Sequence, residues 1–153
     1  MRSIGIVMGL VCALAACGGS HKPAEKTAPA PAAAGEAGGN DALIAKGGQL
    51  YGAHCAKCHG DAGQGTSKAP PVVGVDKGAL PLDPRPDSKR DVQFHTAADV
   101  GGWVAKHMPA DKPGSLQLDD YVAILAFDLH ANGVDLGSEP FTLDRAATFT
   151  IHP

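Results

Sequence analysis

The chain has 153 residues, a formal net charge of −3 and 44% hydrophobic residues, a size that suits one modest domain. It lacks the basic surplus on which nucleic-acid binding depends. Aromatic residues make up only 5%, so a core of side chains alone is thin for this length.

The first seventeen residues read as an export address. Arg2 gives a positive start, Ile4 to Ala13 is apolar, and Leu14-Ala15-Ala16-Cys17 ends in small residues before a cysteine. This resembles the bacterial lipobox, which implies diacylglycerol on the Cys17 thiol and a mature chain that begins there. The alternatives are a plain secretory signal cut near Ala16 and a transmembrane anchor, for which the apolar run is short. Residues 18–40 are rich in Ala, Pro and Gly, including Ala28-Pro29-Ala30-Pro31. They bury too little apolar surface to offset their ordering entropy and read as a flexible tether. Such a tether spans about 25 Å as a random coil and about 70 Å when stretched.

The folded domain is expected over residues 41–133. Asn40 or Asp41 caps a helix running to about His54, with Ile44, Gly47, Gly48 and Tyr51 on one face. Two glycines inside a helix are costly and point to close approach by another helix. Directly after it comes Cys55-Ala56-Lys57-Cys58-His59. Two thiols one turn apart match the two vinyl groups of a porphyrin, and the adjoining imidazole lies under the iron. The pattern predicts one haem c, attached covalently through Cys55 and Cys58 with His59 as axial ligand. A zinc knuckle would need a second cysteine pair, which the chain does not offer. A redox Cys-x-x-Cys follows a strand, whereas the lead-in here reads as helix. Cys12 leaves with the signal, Cys17 takes lipid and the other two take haem, so no cysteine remains for a disulfide. Haem attachment outside the cytoplasm agrees with the export signal, and a buried haem supplies the missing apolar mass.

Residues 60–74 are dense in Gly and Pro and predict an irregular loop. Residues 76–91 read as a solvated loop in which Arg85 or Arg90 is a candidate haem-propionate contact. Thr96 and Asp99 make a capping-box-like start to a helix ending near His107, where Pro109 prevents continuation. Between them stands Met108, the only thioether left once the signal is removed, and hence the candidate sixth ligand. His107 is its rival and His95 a weaker one. Leu116 to about Asn132 forms the strongest helix, with Leu118, Tyr121, Val122, Leu125 and Leu129 at helical spacing. Trp103 and Tyr121 serve the core or bond a propionate. In the tail, residues 134–153, Thr142 caps a helical turn and Ala147 to Ile151 alternates like a short strand; the tail is expected to pack on the domain.

Cys55-Ala56-Lys57-Cys58-His59-Gly60, with Met108-Pro109 and an amphipathic helix downstream, resembles a class I c-type cytochrome with one haem, over about Asp41 to Gly133. The resemblance implies an all-α fold, with N- and C-terminal helices packed across each other round the haem and long irregular loops. It implies a helix crossing at Gly47 or Gly48, with Phe127 packed over it. It also implies a proline carbonyl on the free ring nitrogen of His59, best matched by Pro70 with Pro71 as the alternative, and Val72 against the porphyrin. The implied function is one-electron transfer with His59 and Met108 as axial ligands, without enzymatic activity, in a protein lipid-anchored to a bacterial membrane and facing the periplasm. The implied partners are redox proteins of the periplasm or membrane, such as a respiratory complex, a dehydrogenase or an oxidase. Two alternatives stand beside this: the haem subunit of a multisubunit periplasmic dehydrogenase or oxidase, and an open-site haem binding peroxide or small gases with His54 or His107 as distal base. From Asp41 onward seven lysines and three arginines face thirteen aspartates and one glutamate, so no general positive field steers acidic partners.

Overall fold

The computed structural model describes residues 39–152; the leader, Cys17 and the tether up to residue 38 lie outside them. Five helices follow in order: α1 (Asp41–His54), α2 (Ala56–His59), α3 (Ala97–His107), α4 (Leu118–Ala131) and α5 (Leu143–Ala146), with one 3-10 turn at Val75–Lys77. Among the described residues there is no strand, and the fold is all-α. The strand-like pattern at 147–151 yields a single bridge between Thr150 and Thr96. Phe149 and Ile151 pack against the core without a neighbouring strand to extend that bridge.

The two glycines of α1 have different roles. Gly47 is buried, and a methyl group there would collide with the Ala123 carbonyl and stand 2.8 Å from Phe127 Cβ. The backbones of α1 and α4 therefore cross at Gly47, which only glycine permits. Gly48 meets only the Phe127 ring, at 3.3 Å. Phe127 covers the crossing and tilts against Tyr51, with ring centroids 5.3 Å apart.

On its other side α4 meets α3 at Gly101, where a Cβ would lie 2.8 Å from Leu125 Cδ2. Packed from two directions, α4 buries four successive residues, Ala123 to Ala126, instead of a narrow stripe. Its first residue, Leu118, is 56% exposed although it shares the helical spacing of the apolar set. Thr96 and Asp99 form a complete capping box: Asp99 N–H donates to Thr96 Oγ1 at 3.4 Å and Thr96 N–H to Asp99 Oδ2 at 2.7 Å.

Asn40 precedes α1 but makes no side-chain cap. Its buried amide instead donates to the carbonyls of Gly137 at 2.9 Å and Glu139 at 3.1 Å, while its Oδ1 accepts from Phe141 N–H at 2.7 Å. It thus fastens the chain before α1 to the segment after α4. That segment sends Leu136, Phe141 and Ala146 into the same core as Phe94, Val100 and Leu129. Thr142 accepts from Arg145 N–H at 3.3 Å and caps α5.

Candidate haem site

α1 stops at His54 and α2 begins at Ala56, so Cys55, Cys58 and His59 fall within little more than one helical turn. Tyr51, buried one turn before Cys55, donates its hydroxyl to Gly60 O at 2.9 Å and ties the two helices together. Beyond Gly60 the chain doubles back: Gly65 N–H donates to His59 O at 2.7 Å, and Thr66 Oγ1 donates to Cys58 O. That return brings Pro70 O to 2.8 Å from His59 Nδ1. A carbonyl only accepts, so Nδ1 carries the proton and Nε2 of the neutral ring carries the lone pair. Pro71 makes no such contact; its nitrogen packs near Gly65, where a Cβ would lie 2.6 Å from it.

Cys55, Cys58, His59 and Met108 all border one cavity of about 770 Å³. Its walls are largely apolar and include Val72, Leu80, Phe94, Val104 and Ile124. The volume lies in the range of cofactor sites. Cys55 and Cys58 are both free and half-buried. Burial first, then the charges of Asp128 and Cys58, pushes the Cys55 thiol up to about 12. A redox cysteine needs the opposite, a depressed value.

Met108 is the residue after α3 and turns into extended backbone, φ −119° and ψ 154°. Its N–H donates to Val104 O at 2.8 Å, and its own carbonyl accepts the Tyr121 hydroxyl at 2.6 Å. Tyr121 is 6% exposed and therefore joins α4 to the Met108 turn from inside the protein. The sequence reading places Tyr121 in the core or on a propionate; its bond to the Met108 carbonyl was not legible there. His107 borders the cavity, but it is exposed, donates Nδ1–H to Trp103 O at 2.8 Å and stacks on Trp103 at 4.7 Å. His95 lies away from the cavity and pairs with Gln93 at 3.2 Å.

Arg90 is 8% exposed and holds its own loop together. It donates to the carbonyls of Leu82 at 3.0 Å, Val92 at 3.1 Å, Pro81 at 2.6 Å and Asp83, and its guanidinium lies 3.9 Å over the Phe94 ring. Arg85 reaches Gly78 O at 3.4 Å. Both arginines border the cavity. Asn132, expected only to stop α4, also spans to the loop below the cavity. It accepts from Gly74 N–H at 2.8 Å and Val75 N–H at 3.1 Å and donates to Val72 O at 2.9 Å.

The donor set suits haem c: two thiols for the vinyls, an imidazole with a free Nε2, a thioether and apolar walls. Among the described residues two enclosed polar atoms beside the cavity have no hydrogen-bond partner, Trp103 Nε1 and Asp128 Oδ1. The propionates of a haem offer acceptors, which suits the indole donor.

A family model described as cytochrome c oxidase, cbb3-type, subunit III matches residues 42–127. Among solved structures, the chain is similar to one in the crystal structure of the sulfane dehydrogenase SoxCD from Paracoccus pantotrophus, with 30% identity and a TM-score of 0.53. That match covers 70% of this chain and 52% of the other, so the likeness extends over about half the length of that protein. No curated protein matches the chain. With more than half of its residues under the family model, the chain belongs to that family: it is a monohaem class I c-type cytochrome, with one covalently bound haem c through which it transfers electrons.

Proposed function

We propose that this chain is a membrane-tethered one-electron carrier of the bacterial cell envelope, facing the periplasm, with Cys55 and Cys58 as haem attachment sites and His59 and Met108 as axial ligands. One observation carries the reading: a single apolar cavity is bordered by two thiols, an imidazole engaged at Nδ1 by Pro70 O, and the only thioether of the mature chain. Haem c with this ligation supplies a one-electron couple of higher potential than a bis-histidine haem. Pro70 fixes the orientation of the His59 ring and makes Nε2 a stronger donor. Tyr121 holds the Met108 backbone, and the apolar walls keep water from the site, which sets its dielectric and hence its potential. Cys17 carries the lipid, and residues 18–40 bridge to the membrane. No helix among the described residues is long and apolar enough to cross a membrane.

A haem stain on a denaturing gel tests the attachment. The wild type is expected to stain and Cys55→Ala with Cys58→Ala to lose the stain; staining in the double variant contradicts the assignment. Cys17→Ser is expected to move the protein from the membrane fraction to the soluble one, and retention in the membrane contradicts the anchor.

A second reading, a fixed haem subunit of a multisubunit periplasmic dehydrogenase or oxidase, draws support from the likeness to a chain of sulfane dehydrogenase SoxCD and from a family described as an oxidase subunit. Mild detergent extraction separates the two readings. A stable larger complex favours the subunit, and a free monohaem species favours the shuttle.

A further inference from the structure

Asp128 is the acid that haem binding leaves without a partner. It lies on α4 one turn before Asn132 and borders the cavity, and its Oδ1 is enclosed without a hydrogen bond among the described residues. Haem c presents apolar edges and two carboxylates and brings no donor, so the cofactor does not satisfy it either. The residue as a whole is half-buried, but Oδ1 is enclosed, and an enclosed, unpaired carboxylate oxygen lowers its cost when the group takes up a proton. Burial alone raises the Asp128 pKa to about 7, with no cation opposing the shift.

The groups round it confirm the isolation. Tyr51 of α1 and Cys55, just beyond its end, both feel its charge; Tyr51 is held above its ordinary value by burial and then by the charge of Asp128, and its hydroxyl donates to Gly60 O. Cys55 ceases to titrate once it is a thioether. Asp61 acts on the neighbouring Tyr51, and the titratable groups that share the cavity with Asp128 include His54 and Lys57, His59, Arg90 and His107. Within α4 itself His130 is exposed.

Reduction removes one positive charge from the iron. The ferric state favours the ionised carboxylate and the ferrous state the neutral acid, and by linkage electron and proton then bind with positive coupling. We propose that Asp128 is a redox-linked proton site: as one electron from the donor reduces the haem, one proton from solvent binds the Asp128 carboxylate, and both leave on reoxidation. The chain then carries a proton with its electron. This rests on the haem occupying the cavity bordered by Cys55 and Cys58, and is independent of which residue is the sixth ligand.

Potentiometric titration of the haem-loaded full chain between about pH 5 and 9, a window centred on the value that burial gives the group, tests it. In the wild type the reduction equilibrium is expected to fall by up to tenfold per pH unit in mid-range, about 59 mV for a one-electron couple. In Asp128→Asn the potential is expected to stay flat, at or above the acid limit of the wild type. A flat wild-type curve, or an Asn variant that keeps the slope, overturns the proposal; the second result assigns the proton to a propionate or a histidine. Should the variant not accumulate, the reduced-minus-oxidised infrared spectrum of the wild type reads the same site. A protonated-carboxyl stretch gained on reduction and shifted by heavy-carbon labelling of aspartate supports it, and the absence of such a band overturns it. A chain without covalent haem on a denaturing gel would overturn the reading of the cavity first, before any potential is measured.

Discussion

The two sides of the cavity are built differently. On the His59 side the backbone is fixed at nearly every residue: Tyr51 grips Gly60, Gly65 and Thr66 bond back to the haem motif, and Pro70 holds the imidazole. On the Met108 side residues 110–115 are exposed, and the turn is held by the end of α3, a 3.3 Å bond from Gly114 N–H and the Tyr121 hydroxyl. The lesson is that His59 is positioned by many bonds within its own loop and Met108 by few, chiefly the end of α3 and the Tyr121 hydroxyl. Under stress the methionine side should yield first.

Both sides depend on the α1–α4 crossing, and breaking it has the largest expected effect. Gly47→Leu forces a side chain into the Ala123 backbone. A cost of about 3 kcal/mol or more is expected, read as loss of haem-loaded protein and a lower thermal midpoint. Accumulation at wild-type levels with an unchanged midpoint contradicts the close approach.

The two tyrosines sharpen the contrast. Tyr121→Phe removes the 2.6 Å bond to Met108 O and a long 3.5 Å one accepted from Leu116 N–H, together about 1 kcal/mol, and is expected to raise the population with Met108 displaced by a factor of about five. The near-infrared sulfur-to-iron band then weakens. Tyr51→Phe is expected to cost about the same in thermal stability and leave that band alone. Equal effects of both variants on the band would erase the distinction between the two sides.

Acid acts through the capping box of α3, the helix that delivers Met108. The backbone N–H of Thr96 holds the Asp99 carboxyl below the usual carboxylate range. A depressed value means that the cap contributes fully above the ordinary carboxylate pKa and is lost as pH falls through the lowered one. In acid, amide exchange in the first turn of α3 is expected to rise more in the wild type than in Asp99→Asn, which has no charge to lose. Equal acid sensitivity in the two contradicts this.

The smallest effect is expected at the mouth, where Lys57 and Asp111 join the two sides at 2.6 Å. Both are more than half exposed, so Lys57→Ala should leave the thermal midpoint unchanged at moderate salt. A clear drop would mean that this pair helps to hold the Met108 turn.

What was legible in the sequence follows the same division. The Cys55–His59 run, the Thr96–Asp99 cap and the apolar spacing of α4 are local patterns, and local patterns survive in a linear reading. Asn40, Arg90, Asn132 and Tyr121 were not legible in their roles, because each bonds backbone groups that folding alone brings near. Asn40 reaches Phe141, 101 residues away, and Asn132 reaches Val72, 60 residues away. A polar residue at a helix end invites a capping assignment, and nothing in its neighbours tells that its partner is a distant carbonyl. The strand-like alternation at 147–151 misled because Phe149 and Ile151 do turn inward, onto helices and not into a sheet. Asp128 has no periodic signal either: it stands among apolar residues, and only the cavity beside it makes its carboxyl unusual.

The most direct test of the central claim is the absorption spectrum of the mature, oxidised protein in the near infrared, with Met108→Ala measured beside it. A weak sulfur-to-iron band in the wild type that vanishes in the variant is the predicted result. A wild type without the band, or a variant that keeps it, would contradict ligation by Met108 and would mean that the softer side of the cavity holds a different ligand or none.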